Sequence, residues 1–290
     1  MASDESSAAE QALAAAIAER GEGHLDVAYR RVDLALARRD AGDLPRAAGL
    51  LEAALAVMVP ALGEGADDVV DIRAALAQVL LASGDLRGAR AVLEEALAAV
   101  TDRDDRDMHV CLCRVTLASV LTELGDLPGA KVLLERVLAT TIANFGADHP
   151  DVGAVYNQLG GVLVGLGDRS GAQTMFANSL AITVAHFGED HPAGAAPRFN
   201  LAALHELAGD LEQAYGLLAA ALAIEERTQG AAHASTATTR VRVAAVLHKL
   251  GRHDEARAAA ARALADVSSA PTDSRDRRSV EVVVRQILER

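Results

Sequence analysis

Apolar residues along this chain recur three and four positions apart. Leu76, Val79 and Leu80 precede Gly84, and Ala89, Val92, Leu93, Ala96 and Leu97 follow Asp85. That spacing places each set on one face of an α-helix, so the stretch reads as two amphipathic helices meeting at a tight turn. Glycine supplies the left-handed residue that closes the first helix. The aspartate after it is suited to cap the orphan N–H groups of the second.

The same unit returns along the chain. Gly42, Gly84, Gly125, Gly167, Gly209 and Gly251 follow one another at intervals of 42, 41, 42, 42 and 42 residues. Five positions after each glycine stands Ala47, Ala89, Ala130, Ala172, Ala214 or Ala256, and thirteen after stands Leu55, Leu97, Leu138, Leu180, Leu222 or Leu264. Seven before is a small residue, Ala35, Ala77, Ala118, Gly160, Ala202 or Ala244. Eight before are Leu34, Leu76, Leu117, Leu159, Leu201 and Val243. A period of this length predicts stacked helical hairpins, because one hairpin cannot bury its own apolar face. Between units, Gly146-Ala147-Asp148-His149-Pro150 and Gly188-Glu189-Asp190-His191-Pro192 pair a helix-ending glycine with a proline at the first turn of the next helix.

These motifs, G-x-D-H-P, then L-A, then G-D-x-x-x-A and A-L, resemble the tetratricopeptide repeat family in its kinesin light chain-like form with 42-residue repeats. The resemblance runs from about Asp26 to Val267. It implies an all-α, right-handed α-solenoid of about six helix-turn-helix units with terminal capping helices, and a role in protein or peptide binding. The expected organisation is an N-terminal capping helix over 1–24, a six-repeat array over 25–267, a polar linker over 268–278 and a C-terminal helix or tail over 279–290. Val280, Val283, Ile287 and Leu288 leave that last segment open to a solvated helix, a docking tail or a short strand. The family's first-helix aromatics are mostly missing here, leaving Tyr29, Tyr156 and Phe199.

Composition narrows the partners. Alanine fills 63 of 290 positions and aromatics 2%, so the interior is built from small side chains that let helices approach closely. A formal charge of −13 argues against nucleic acid, whose binding needs a basic footprint. Met1 to Glu10 is acidic and the Ala12 to Ala18 run is short, so no secretory leader is expected. The longest charge-free stretch, Ser170 to Gly188, carries Gln, Thr, Asn and His, so no membrane span is expected either. A cytoplasmic protein follows. Lys131 and Lys249 are the only lysines, which with the alanine content fits a GC-rich bacterial coding sequence.

In such solenoids the resemblance places the first helix of each hairpin on the concave groove, where an Asn bonds the ligand backbone. An amide offers both donor and acceptor to an extended peptide. Asn157 and Asn200 are the matching candidates, at neighbouring rather than identical offsets from their turn glycines, so at most one of them holds the family position and the other is read as filling a packing gap. Gln158, Phe199 and Arg242 stand at the same two offsets, nine and ten before the turn glycine, and Lys249 at another groove-facing offset, two before it. The fourth unit is unusual: of the 37 residues from Val152 to Gly188, only Asp168 and Arg169 are charged. Its first helix also carries Gly153, Gly160, Gly161 and Gly165, each interior glycine costing about 1 kcal/mol of helix stability. Gly161 and Gly165 are therefore read as leaving a shallow pocket for a partner, against close helix packing as the plainer alternative. The uncharged face of Gln173, Thr174, Ala177, Asn178 and Ala181 could instead join a second copy in a homo-oligomer.

Reactive chemistry is not expected. His109, Cys111 and Cys113 point to different faces of one helix, short of four convergent zinc ligands. The two cysteines read as small buried hydrophobes. Gly165-Leu166-Gly167 lacks the strand that a phosphate loop requires. His149 and His191 belong to the repeat, and His205, His248 and His253 lack a metalloprotease spacing. No cofactor, metal or catalytic residue is assigned. The favoured function is a noncatalytic scaffold binding a peptide or protein segment. A regulatory sensor of a signalling peptide or small molecule is the alternative, and an enzyme on a helical-repeat scaffold ranks third.

Overall fold

A computed structural model describes residues 2–104, 106–231, 233–267 and 284–285. The described residues form thirteen α-helices and no strand, the all-α helical repeat expected. They divide into two compact units, Met1–Gly146 and Ala147–Arg290. The first contains α1 (Ala2–Arg20), α2 (Leu25–Asp40), α3 (Leu44–Leu62), α4 (Asp67–Ser83), α5 (Leu86–Ala99), α6 (Met108–Glu123) and α7 (Leu127–Phe145). The second contains α8 (Pro150–Gly165), α9 (Arg169–Phe187), α10 (Ala195–Ala208), α11 (Leu211–Thr228), α12 (Ala234–Lys249) and α13 (His253–Val267), with a 3-10 turn at Pro192–Gly194. In each unit three antiparallel hairpins stack in chain order, and α1 packs on α2 in unit one.

Each hairpin turn is built the same way. The six turn glycines have φ between 78° and 88°, a left-handed conformation that a Cβ would strain. The next N–H reaches back across the turn, as Asp85 to the Leu80 carbonyl and Asp168 to that of Leu163, both at 2.9 Å. Aspartate caps the second helix in three turns: Asp85, Asp126 and Asp168 accept from the N–H of Gly88, Gly129 and Gly171 at 2.9, 3.0 and 2.8 Å. The other two, Asp43 and Asp210, make no such bond. Three residues after the capping aspartates stands glycine, whose missing Cβ leaves room for the carboxylate. After Asp43 and Asp210 stand Arg46 and Gln213, and Asp43 instead pairs with Arg46 at 3.4 Å.

Two further devices keep the period. His24, His149 and His233 accept the N–H two residues on through Nδ1, at 3.1 to 3.3 Å, capping the first helix of their hairpins, and His191 does the same at 3.3 Å for the 3-10 turn that precedes α10. Asp107 does the same for α6. Eleven positions before the turn glycine stands Arg31, Arg73, Arg114, Arg198 or Arg240, replaced by Tyr156 in the fourth hairpin. Arg31, Arg73 and Arg198 reach the glutamate nine residues earlier, in the loop that opens their helix. Arg240 turns instead to Glu226 and Asp266. The fourth hairpin has Ala147 and Tyr156 at these positions, which accounts for part of its missing charge.

The glycines of α8 divide by environment. A Cβ on Gly160 would lie 2.5 Å from Cε1 of the buried Phe176, and one on Gly153 3.3 Å from Ile182. Both let α9 approach α8. Phe176 occupies the place held by Leu51, Leu93, Leu134 and Leu218 elsewhere, so the larger ring in one helix is matched by the smaller residue in the other. Gly161 is exposed, with no neighbouring atom within 4 Å of where a Cβ would stand, and Gly165 is exposed at the end of α8.

Among the described residues one helix, α3, is long and apolar enough to cross a bilayer. Its Ala47, Leu51, Ala54 and Met58 are fully buried in a cluster with α2 and α4 residues, the use a core helix makes of such a sequence. The linker over 268–278 and, apart from 284–285, the segment over 279–290 lie outside the described residues. Val284 is 2% exposed, in the cluster formed with Val243, Leu247 and Ala260.

Candidate functional site

All eight residues singled out for binding lie in unit two, on α8, α10 and α12, the first helices of its three hairpins. Two clefts open beside them. One, of about 280 Å³, is lined by Ala154, Asn157 and Gln158 of α8, Ser179, Thr183 and Phe187 of α9, and Pro197 of α10. The other, of about 390 Å³, is lined by Phe199 and Asn200 of α10, Glu225 of α11, Gln229 just beyond it, and Ser235 and Thr239 of α12. They are the same cleft advanced by one repeat, since Gln158, Thr183 and Pro197 become Asn200, Glu225 and Thr239 at a spacing of 42.

The clefts adjoin at an amide pair. Asn200 Nδ2 donates to Asn157 Oδ1 at 3.1 Å. Their unequal offsets from the turn glycine, which in the sequence count against a shared role, are what brings them together. The two side chains lie one repeat plus one residue apart, a spacing of 43 that also joins Glu206 to Lys249 across neighbouring first helices. The pair leaves the Asn157 NH₂ and the Asn200 carbonyl without partners among the described residues. Gln158 Oε1 is buried and accepts no hydrogen bond among them.

Arg242 and Lys249 sit apart from the amides and are already engaged. Glu206 accepts from Arg242 Nη2 and from Lys249 Nζ, each at 2.8 Å. Burial alone would raise the Glu206 carboxyl, but the two cations outweigh it and hold it below the usual range. The Arg242 guanidinium also lies 4.9 Å over the Phe199 ring, a cation–π contact. Phe199, Arg242 and Lys249 thus form one group through Glu206, a residue that the sequence pattern did not single out. The spacing of 43 between a glutamate and a lysine was the available signal. Gly161 and Gly165 line neither cleft.

Elsewhere, Cys111 and Cys113 are buried thiols not joined in a disulfide, and burial pushes the Cys113 thiol up to about 12. Among the described residues no three His, Cys, Asp or Glu side chains converge as metal ligands.

A search of curated proteins finds no match. Solved structures with the same fold include BtubC (BKLC) from P. vanneervenii, 21% identical, covering 87% of this chain and 94% of its own, with a TM-score of 0.60. A Podosopora anserina protein described as a kinesin light chain with nearly identical TPR-like repeats is 23% identical, covering 71% of this chain and 98% of its own, at 0.59. The tetratricopeptide repeat sensor protein PH0952 of Pyrococcus horikoshii is 15% identical, covering 90% of this chain and 38% of its own, at 0.68. One tetratricopeptide repeat profile matches residues 112–183 and 195–267, and a second matches residues 71–95. With more than half its length matched and its hairpins in register, the chain belongs to the tetratricopeptide repeat family, whose fold generally serves as a protein-interaction scaffold.

Proposed function

We propose that the protein is a noncatalytic scaffold that binds an extended peptide segment along α8, α10 and α12. The observation that carries this reading is the pair of adjoining clefts bridged by Asn157 and Asn200. Their remaining amide NH₂ and carbonyl, together with Gln158 Oε1, offer one donor group and two acceptors to a peptide backbone. Phe199 supplies an apolar wall, with Arg242 and Lys249 at one side. Gly161, one turn beyond Asn157 with open space above it, keeps the surface low where the segment passes. The setting in this reading is a bacterial cytoplasm, supported by the arginine bias.

The experiment is panning of a random dodecapeptide display library on the immobilised full chain, followed by calorimetry of an enriched peptide. The double variant N157A/N200A is expected to weaken binding by about tenfold or more, two lost hydrogen bonds at about 1 kcal/mol each. G161L is expected to block it by bulk while circular dichroism stays unchanged. Binding untouched by all three substitutions contradicts the proposal. Light scattering reads the other use of unit two, since a dimer lost on adding charge at Ala177 would assign the uncharged α9 face to a second copy.

A further inference from the structure

The larger cleft contains a carboxylate that the repeat does not explain. Sixteen positions after the turn glycine the other hairpins carry Met58, Val100, Thr141, Thr183 and Val267; the fifth carries Glu225. Glu225 is 7% exposed. It lines the cleft with Asn200, Gln229 and Ser235, and its Oε2 has no hydrogen-bond partner among the described residues. A buried acceptor left unsatisfied is costly, more so when it is ionised. Desolvation holds the carboxyl above its ordinary range, against the Thr239 hydroxyl bonded to it and the nearby His233.

We propose that Glu225 is the floor of a subsite for a cationic side chain, an arginine or lysine of the peptide bound along unit two. The inference rests on the groove reading and supplies its side-chain specificity. A guanidinium or ammonium would give Oε2 the donor it lacks, a charge-assisted bond stronger than a neutral one. The free Asn200 carbonyl is a second acceptor, and the Phe199 ring lies along the wall for the aliphatic stem. At about 390 Å³ the cleft falls in the range, roughly 300–1,000 Å³, that encloses small ligands. The nearby Arg242 does not fill this role, because Glu206 already holds it. The net charge of −13 favours approach of a basic segment.

The test uses the full chain and blocked hexapeptides of alanine and serine with one central arginine, lysine or citrulline, citrulline being the neutral isostere of arginine. Free n-butylguanidinium forms a fourth arm. Binding is read from amide chemical shifts in α11 and α12. The arginine and lysine peptides are expected to shift Ser235 and Thr239 saturably, and the citrulline peptide to bind about tenfold or more weakly. E225Q should erase that difference, and E225T, which installs the residue of the preceding repeat, should do the same if E225Q fails to fold. Equal binding of arginine and citrulline, or a preference that survives in both variants, overturns the subsite. So does n-butylguanidinium binding as tightly as the peptide, which would assign a site for free cations. A panned peptide that needs Asn157 and Asn200 but ignores E225Q sinks the subsite and leaves the groove reading standing.

Discussion

At the scale of single residues, size and charge are matched to neighbours on the facing helix. Gly160 faces Phe176 where other hairpins pair alanine with leucine, so G160A forces a methyl to within 2.5 Å of the ring. The overpacking is expected to destabilise by about 1–3 kcal/mol. F176L should recover much of it in the double variant, since that restores the pair used in four other hairpins. Urea unfolding of the four-member cycle checks this, and additive effects would contradict it. His109 offers a pH test. Its ring is bonded to Asp71 at 2.7 Å and lies 3.6 Å from Asp67. The Asp71 bond raises the imidazole above its ordinary value, outweighing burial, with Asp67 and Asp107 adding to the rise. A raised folded value means the stabilisation is fully present below the unfolded pKa of about 6.5 and disappears as pH climbs through the folded one. D71N should therefore lower stability more at pH 6 than at pH 8, and an equal loss at both would refute the coupling.

At the scale of the element, the hairpin turn shows what a sequence can and cannot disclose. The register was legible because each marked position has one dominant physical demand: positive φ at the glycine, small size where helices cross, apolar bulk in the core. Capping was only half legible. In these turns the aspartate caps its helix where glycine stands three further on and not where Arg46 or Gln213 does, so the pair of positions goes with the outcome. D168A is accordingly expected to destabilise by about 1 kcal/mol and D210A by much less, as thermal melts of the two would show. The arginine–glutamate clasps were missed although they keep the same period, because a charge on a helix is ordinarily read as solvent-facing. Of the site, Asn157, Gln158, Phe199 and Asn200 line the two clefts. Their mutual contact was not foreseen, since the spacing of 43 reflects how neighbouring helices are staggered. Glu206 and Glu225 escaped notice because nothing local distinguishes them from solvated glutamates; their burial is set by other helices.

At the scale of the molecule, stability comes from contacts between adjacent hairpins, and each compact unit has three, the usual minimum for such stacks. The second unit combines the two adjoining clefts, the amide bridge, the half-buried Glu206 held by Arg242 and Lys249, and the buried Glu225 whose Oε2 is unsatisfied among the described residues. In the proposed reading, that combination is where the peptide binds. Hydrogen–deuterium exchange of the full chain, with and without an enriched peptide, locates the bound segment. Added protection is expected in α8, α10 and α12 with residues 2–146 unchanged, whereas protection confined to residues 2–146 or to the exposed side of α9 would contradict that assignment.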